Sequence, residues 1–230
     1  MEKIAIIGAG LIGRGWAMVF ARAGHEVALY DTDAQALKTN LAVIRGALKD
    51  LRAAGTVKEV PDRIYKRIRA AASLEDALAG ADYAQENVSE TLAAKKKIFA
   101  AMDTLARPGT ILASSTSTIP ASAFTKGLKG RSRCLVAHPV NPPHLVPLVE
   151  LCPAPWTSQR VVARARAARV CRTGADHGEE RNSRLYPQPF AGIRAERSAV
   201  AVRRRLCDRG RHRQDHTRRS GPALVLYGAV

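Results

Sequence analysis

Apolar residues along the chain come in short blocks separated by glycine and polar turns. A first run over 4–7 (Ile-Ala-Ile-Ile) ends at Gly8, a helical pattern follows through Trp16, Met18 and Phe20, and a second run over 27–30 closes on Asp31. Short apolar runs bounded by glycine predict buried strands, so the opening order is strand, glycine turn, helix, strand. Over 34–54 the residues Ala36, Leu37, Leu41, Ile44, Leu48 and Leu51 recur at helical intervals, and Gly55 ends the pattern. A short helix is expected over 61–69 and a brief strand over 70–72. A helix with a serine cap and an acidic first turn is expected from Ser73. Further strands are expected over 81–86, 110–113, 133–137 and 146–151, with helices over 91–105 and 120–124 between them. Strands alternating with helices, without an internal repeat, predict an α/β fold: a doubly wound, mostly parallel sheet with helices on both faces.

The first glycine turn carries chemistry. Gly8, Gly10 and Gly13 follow a strand and open a helix. In that setting the first permits a tight turn, the second lets backbone approach a pyrophosphate, and the third brings helix against strand. The free N–H groups at the helix start, among them those of Leu11 and Ile12, would face the phosphates. Asp31 ends the second strand 18 residues after Gly13, where a carboxylate accepts from a ribose 2′-hydroxyl and repels a 2′-phosphate. This is a Rossmann-type cofactor unit, and it predicts NAD rather than NADP. The plainer alternative has Asp31 merely starting the turn at Thr32 and Asp33.

Ligands of such sheets sit at the carboxyl ends of strands, and polar residues collect there: Glu90, Ser114 to Thr118, and His138 to Asn141. One crevice facing the glycine turn is therefore expected. An imidazole ordinarily titrates near neutral pH, so His138 can serve as a general base. Glu150, in the following strand, can accept from the other ring nitrogen, while Ser117 and Asn141 can donate to a substrate oxygen. With NAD the set describes oxidation of a secondary alcohol. Three plainer readings stand beside these. His138 could be a satisfied loop residue, the serine and threonine run could cap the helix near Pro120, and Lys95 to Lys97 reads as a solvated helix face. Cys134, His138 and His144 lack any familiar ligand spacing, so no metal is expected.

Charge divides the chain. The formal net charge is +17. Up to Trp156 there are 20 basic and 14 acidic residues, with Lys and Arg equal at 10 each; from Thr157 onward there are 17 basic and 6 acidic, every basic one an arginine. The start is not a signal peptide, no apolar stretch has membrane-spanning length, and the four cysteines form no CxxC pair. A reducing, cytoplasmic setting is expected.

GAGLIGRGWA, ENVSE followed by KKKIF, SSTST and above all AHPVNPPHLVPLVEL resemble the 3-hydroxyacyl-CoA dehydrogenase superfamily, in its lambda-crystallin (L-gulonate 3-dehydrogenase) branch. The resemblance implies an NAD-dependent oxidoreductase acting on the 3-hydroxyl of a hydroxyacyl-CoA or related 3-hydroxy acid, with His138 as base, Glu150 orienting it, and Ser117 and Asn141 at the substrate. It places Glu90 and Lys95 on the cofactor side. It also implies a following all-helical domain that closes the site and forms a homodimer. The likeness covers about residues 1–167; residues 168–230 turn arginine-rich without apolar period. We read that stretch as out-of-frame in character, with the break near Ala165 to Ala168, poorly ordered, and leaving a truncated, weakly active form. Degenerate codons for 182–190 and 218–230, read one nucleotide later, permit family-like segments at suitable spacing. Two other readings are a non-enzymatic, crystallin-like nucleotide-binding protein and a nucleic-acid arm, the latter disfavoured.

Overall fold

The computed structural model describes residues 1–167 and the backbone of 223–226. Strands β1 (Lys3–Ile7), β2 (Glu26–Tyr30), β3 (Ile68–Ala70), β4 (Tyr83–Glu86), β5 (Ile111–Ser114), β6 (Cys134–Pro139), β7 (Leu148–Pro153) and β8 (Ala223–Leu226) form one sheet. Its order is β3-β2-β1-β4-β5-β6-β7-β8. The first six strands run parallel, while β7 pairs antiparallel with both β6 and β8. Helices α1 (Leu11–Arg22), α2 (Ala34–Ala53), α3 (Pro61–Tyr65), α4 (Leu74–Leu78), α5 (Leu92–Leu105), α6 (Ala121–Thr125) and α7 (Gln159–Ala167) complete it.

A strand covered on both faces must be apolar at every position, and β1 shows how this works. Ile4 and Ile6 enter one core with Trp16, Phe20, Ile44 and Leu48 from α1 and α2. Ala5 and Ile7 enter the other, with Leu78, Phe99, Met102 and Phe124 from α4, α5 and α6. The alanines of β1, β2 and β4 (Ala5, Ala28 and Ala84) belong to this second core.

The expected doubly wound, mostly parallel sheet is present, with differences at the margins. The helix expected over 61–69 stops at Tyr65, and β3 begins at Ile68, two residues earlier than expected. Pairing decides this: Val27 lies opposite Ile68 and Leu29 opposite Ala70, so β2 sets the register. Ser73 caps α4 as expected, its Oγ accepting from Asp76 N at 3.1 Å. The sequence pattern gave no hint of α7, whose Val162 and Ala165 are buried under arginine-rich neighbours. The strand β8, paired with β7 from Leu148↔Leu226 to Leu151↔Ala223, was likewise unexpected. The remaining expectations for 168–230 lie outside the described residues. Among the described residues no helix is long and apolar enough to cross a membrane.

Candidate functional site

The glycine turn is built as its residue types require. Gly8 sits at φ +93°, where side chains are disfavoured, and a Cβ there would lie 2.8 Å from the Asn87 carbonyl oxygen. A Cβ on Gly13 would lie 1.8 Å from the Gly8 carbonyl oxygen, whereas one on Gly10 meets nothing within 4 Å. Gly10 thus borders open space at the start of α1, which among the described residues has no side-chain cap and no acidic residue in its first turn. An uncapped helix start beside open space fits a phosphate group.

Asp31 follows β2 and turns back onto this loop. Its Oδ2 accepts Ala9 N–H at 2.7 Å and its Oδ1 accepts Asp33 N–H at 3.0 Å. It therefore starts the next turn, as the plainer sequence reading has it, and also braces the glycine turn, which was not foreseen.

Strand order reverses between β1 and β4, and dinucleotides bind across such a reversal. His138 lies at the far side of it, in β6, directly opposite Glu150 in β7. His138 Nδ1 and Glu150 Oε2 are 3.1 Å apart, and both side chains are partly exposed. An ionised carboxylate only accepts, so a neutral ring bonded to it in this way carries its proton on Nδ1 and presents a bare Nε2. The interval of twelve residues is that of a hairpin: the antiparallel register pairs Leu135 with Pro153, Ala137 with Leu151 and His138 with Glu150.

Glu90 is bonded to the loop that follows β5. Its Oε1 accepts from Thr116 Oγ1 at 3.0 Å, Ser117 N at 2.8 Å, Thr118 N at 2.8 Å and Thr118 Oγ1 at 3.0 Å. The run of hydroxyl residues after β5 is wrapped on this carboxylate, while α6 has Pro120 as its N-cap and takes no side-chain capping bond. Partial burial alone would raise the Glu90 carboxyl, but the donors of Thr118, Thr116 and Ser117 outweigh it and hold it below its ordinary value. A depressed carboxyl contributes fully above the usual carboxylate pKa, and the contribution is lost as pH falls through the lowered folded value. Amide protection of Ser117 and Thr118 is therefore expected to hold at neutral pH and fall away only in that acid range. In Glu90→Gln it should be weaker at neutral pH and no longer fall with that titration; hydrogen exchange read by NMR checks both.

Lys95 requires a correction. It is neither on a solvated face nor offering its ammonium to the crevice. It is about 1% exposed, its Nζ donating to Glu86 Oε1 at 2.6 Å and to the Val88 carbonyl at 3.0 Å. Glu86, fully buried, also accepts Val88 N–H and Ser114 Oγ–H, each at 2.6 Å. This pair supports the β4–α5 turn from beneath; Lys96 and Lys97 alone are exposed. The polar pair Gln85-Glu86 at the end of an apolar strand was the sequence signal for it.

Ser117 and Asn141 are exposed, and no side-chain hydrogen bond joins either to His138 among the described residues. The turn carrying Asn141 packs back on α1: Pro143 fills the space beside Gly15, and Arg22 Nη1 donates to the His144 carbonyl at 2.9 Å. A shallow cavity lined by Lys3, Glu26, Lys66 and Arg67 opens at the opposite, amino-terminal end of the strands and has no part in this constellation.

Parallel strands in the order 3-2-1-4-5-6 with a glycine turn at an open helix start define a dinucleotide-binding domain. Residues 3–172 match the family described as 3-hydroxyacyl-CoA dehydrogenase, NAD binding domain, and the chain belongs to that family. It is 42% identical over 167 residues to a human lambda-crystallin homolog, covering 71% of this chain and 52% of that protein. Against a 3-hydroxyacyl-CoA dehydrogenase of Gibberella moniliformis it is 37% identical over 163 residues, covering 70% and 49%. The crystal structure of 3-hydroxybutyryl-CoA dehydrogenase from Escherichia coli superposes with a TM-score of 0.69 at 34% identity, over 72% of this chain and 35% of that one. The chain thus spans about half the length of the curated relatives it matches.

Proposed function

We propose that this chain takes NAD across the crevice between the glycine turn and β6, and that His138 is the general base in oxidation of the 3-hydroxyl of a hydroxyacyl-CoA or related 3-hydroxy acid. The observation that carries the reading is the His138–Glu150 bond at 3.1 Å, on the side of the strand-order reversal away from Asp31. Glu150 holds the ring so that Nε2 can take the hydroxyl proton, and the imidazolium so formed gains from the adjacent carboxylate. Bound NAD supplies the hydride acceptor. Gly8, Gly10 and Gly13 with the N–H groups of Leu11 and Ile12 would hold its pyrophosphate, and Asp31 a ribose hydroxyl. Glu90 positions the Ser117 loop, and Lys95 acts through the turn it supports. Ser117 and Asn141, exposed on the same rim, would meet the substrate oxygen. Because the likeness spans only about half the length of these relatives, weak cofactor binding and little turnover are expected of residues 1–230 taken alone.

The test is a fluorescence titration of the purified 230-residue chain with NADH, followed by NAD reduction assayed on 3-hydroxybutyryl-CoA, L-gulonate and carnitine. Measurable NADH binding that is lost in Gly13→Ala, with turnover well under ordinary enzymatic rates of about 1–10³ s⁻¹, supports the reading. No binding by the unaltered chain overturns the cofactor assignment. Binding with no turnover of any substrate favours a nucleotide-binding structural role.

A further inference from the structure

A group of polar side chains to which the dehydrogenase reading gives no task meets on one hydroxyl. Ser115 Oγ accepts Trp16 Nε1–H at 2.9 Å and Gln85 Nε2–H at 2.7 Å, and donates to Asn87 Oδ1 at 2.7 Å. Both lone pairs and the single proton of the hydroxyl are then used. The bonds continue outward. Gln85 Nε2 also donates to the Ala137 carbonyl at 3.1 Å, Gln85 Oε1 accepts Tyr83 O–H at 2.6 Å, and Asn87 Nδ2 donates to the Ile7 carbonyl at 3.3 Å.

The two backbone carbonyls at its ends are informative. Ile7 immediately precedes Gly8, and Ala137 immediately precedes His138. The network therefore runs from the residue before the cofactor turn, through β4 and the end of β5, to the residue before the proposed base, with α1 attached through Trp16. Polar groups inside a sheet covered on both faces are costly unless paired. A network with one member removed is worse than an apolar core. Apolar residues would have filled these positions without that liability. The members at Tyr83, Gln85, Asn87, Ser115 and Ala137 lie on the β4–β6 side of the strand reversal, opposite Asp31. With Asp31 at the adenosine ribose, that side is left for the nicotinamide half.

We infer that Ser115 is a positioning residue: through Gln85, Asn87 and Trp16 it fixes the separation of the Gly8 turn from the His138 strand end, and so shapes the nicotinamide half of the crevice without touching the cofactor. This rests on the cofactor reading proposed above. NADH and ADP-ribose separate the two halves, since they share the adenosine portion and only NADH carries the nicotinamide.

Dissociation constants of both are measured on the whole chain and on Ser115→Ala. The NADH constant is expected to rise about tenfold, the scale of a buried polar group left unpaired, while that of ADP-ribose changes less than about threefold. Ser115→Thr, which restores the hydroxyl, is expected to recover most of the NADH affinity. Equal loss of both ligands in Ser115→Ala, loss of neither, or binding of ADP-ribose but not of NADH by the unaltered chain overturns the inference. Binding of neither by the unaltered chain overturns the cofactor reading and this inference with it. Should circular dichroism show Ser115→Ala unfolded, Trp16→Phe removes one donor while keeping a ring in the core, and the same two-ligand comparison decides.

Discussion

Replacing His138 by asparagine is expected to lower the single-turnover rate of NADH formation by about 10²–10⁴-fold, the range lost with a positioned general base. Affinity for NADH should stay within about threefold, because the side chain contributes to proton transfer rather than to uniform binding. Rapid mixing at enzyme excess reads the rate even where steady turnover is slow. Glu150→Gln sharpens the result. The amide can donate to Nδ1, which drives the ring proton onto Nε2 and removes the acceptor that a substrate hydroxyl needs. A large rate loss at unchanged NADH affinity is expected there too. A His138→Asn chain reacting at the wild-type rate would refute the assignment of the base.

The second large effect concerns stability. Lys95→Met should cost about 3–5 kcal/mol, since it leaves the fully buried Glu86 carboxylate without its counter-charge. That is a large share of the total for an ordinary domain, about 5–15 kcal/mol. Glu86 would retain only Val88 N–H and Ser114 Oγ–H, and the β4–α5 turn would lose the tether from Lys95 to the Val88 carbonyl. Denaturant unfolding of the single variant and of the double variant Lys95→Met/Glu86→Gln separates the causes. Recovery of more than half the loss in the double variant identifies the stranded charge as the origin. Equal loss in both would place the cost in the lysine's packing and its bond to Val88 instead.

What the sequence disclosed divides along a physical line. Gly8, Gly10, Gly13 and Asp31 were legible because each position demands one residue type for a local reason: a positive φ, an open approach, a close contact, a carboxylate at a strand end. His138 and Glu150 were legible because a hairpin turns a fixed interval into a cross-strand pair. Lys95 was misread because helical position alone cannot tell a solvated lysine from one folded back under its own turn; its partner Glu86 lies in a different element. The Ser115 cluster was missed for the same reason, as its five side chains come from α1 and the ends of β4 and β5, and nothing local marks them as neighbours. Register decided β3: only pairing with β2 shows that the strand begins at Ile68.

The bond from Ala9 N–H to Asp31 Oδ2 bears on how readily this chain could change its cofactor. Under the proposed reading, the carboxylate is already oriented before any ribose arrives, so little rotamer freedom remains to be lost on binding. The same bond makes the acid a structural member of the glycine turn. Exchanging Asp31 for a small or basic residue, the obvious first step toward accepting a 2′-phosphate, also releases the Ala9 and Asp33 amides from their shared acceptor. Retargeting toward NADP would therefore demand a compensating acceptor in the turn together with the new anion contact. Neither change alone is adaptive, which makes the preference for NAD evolutionarily stiff.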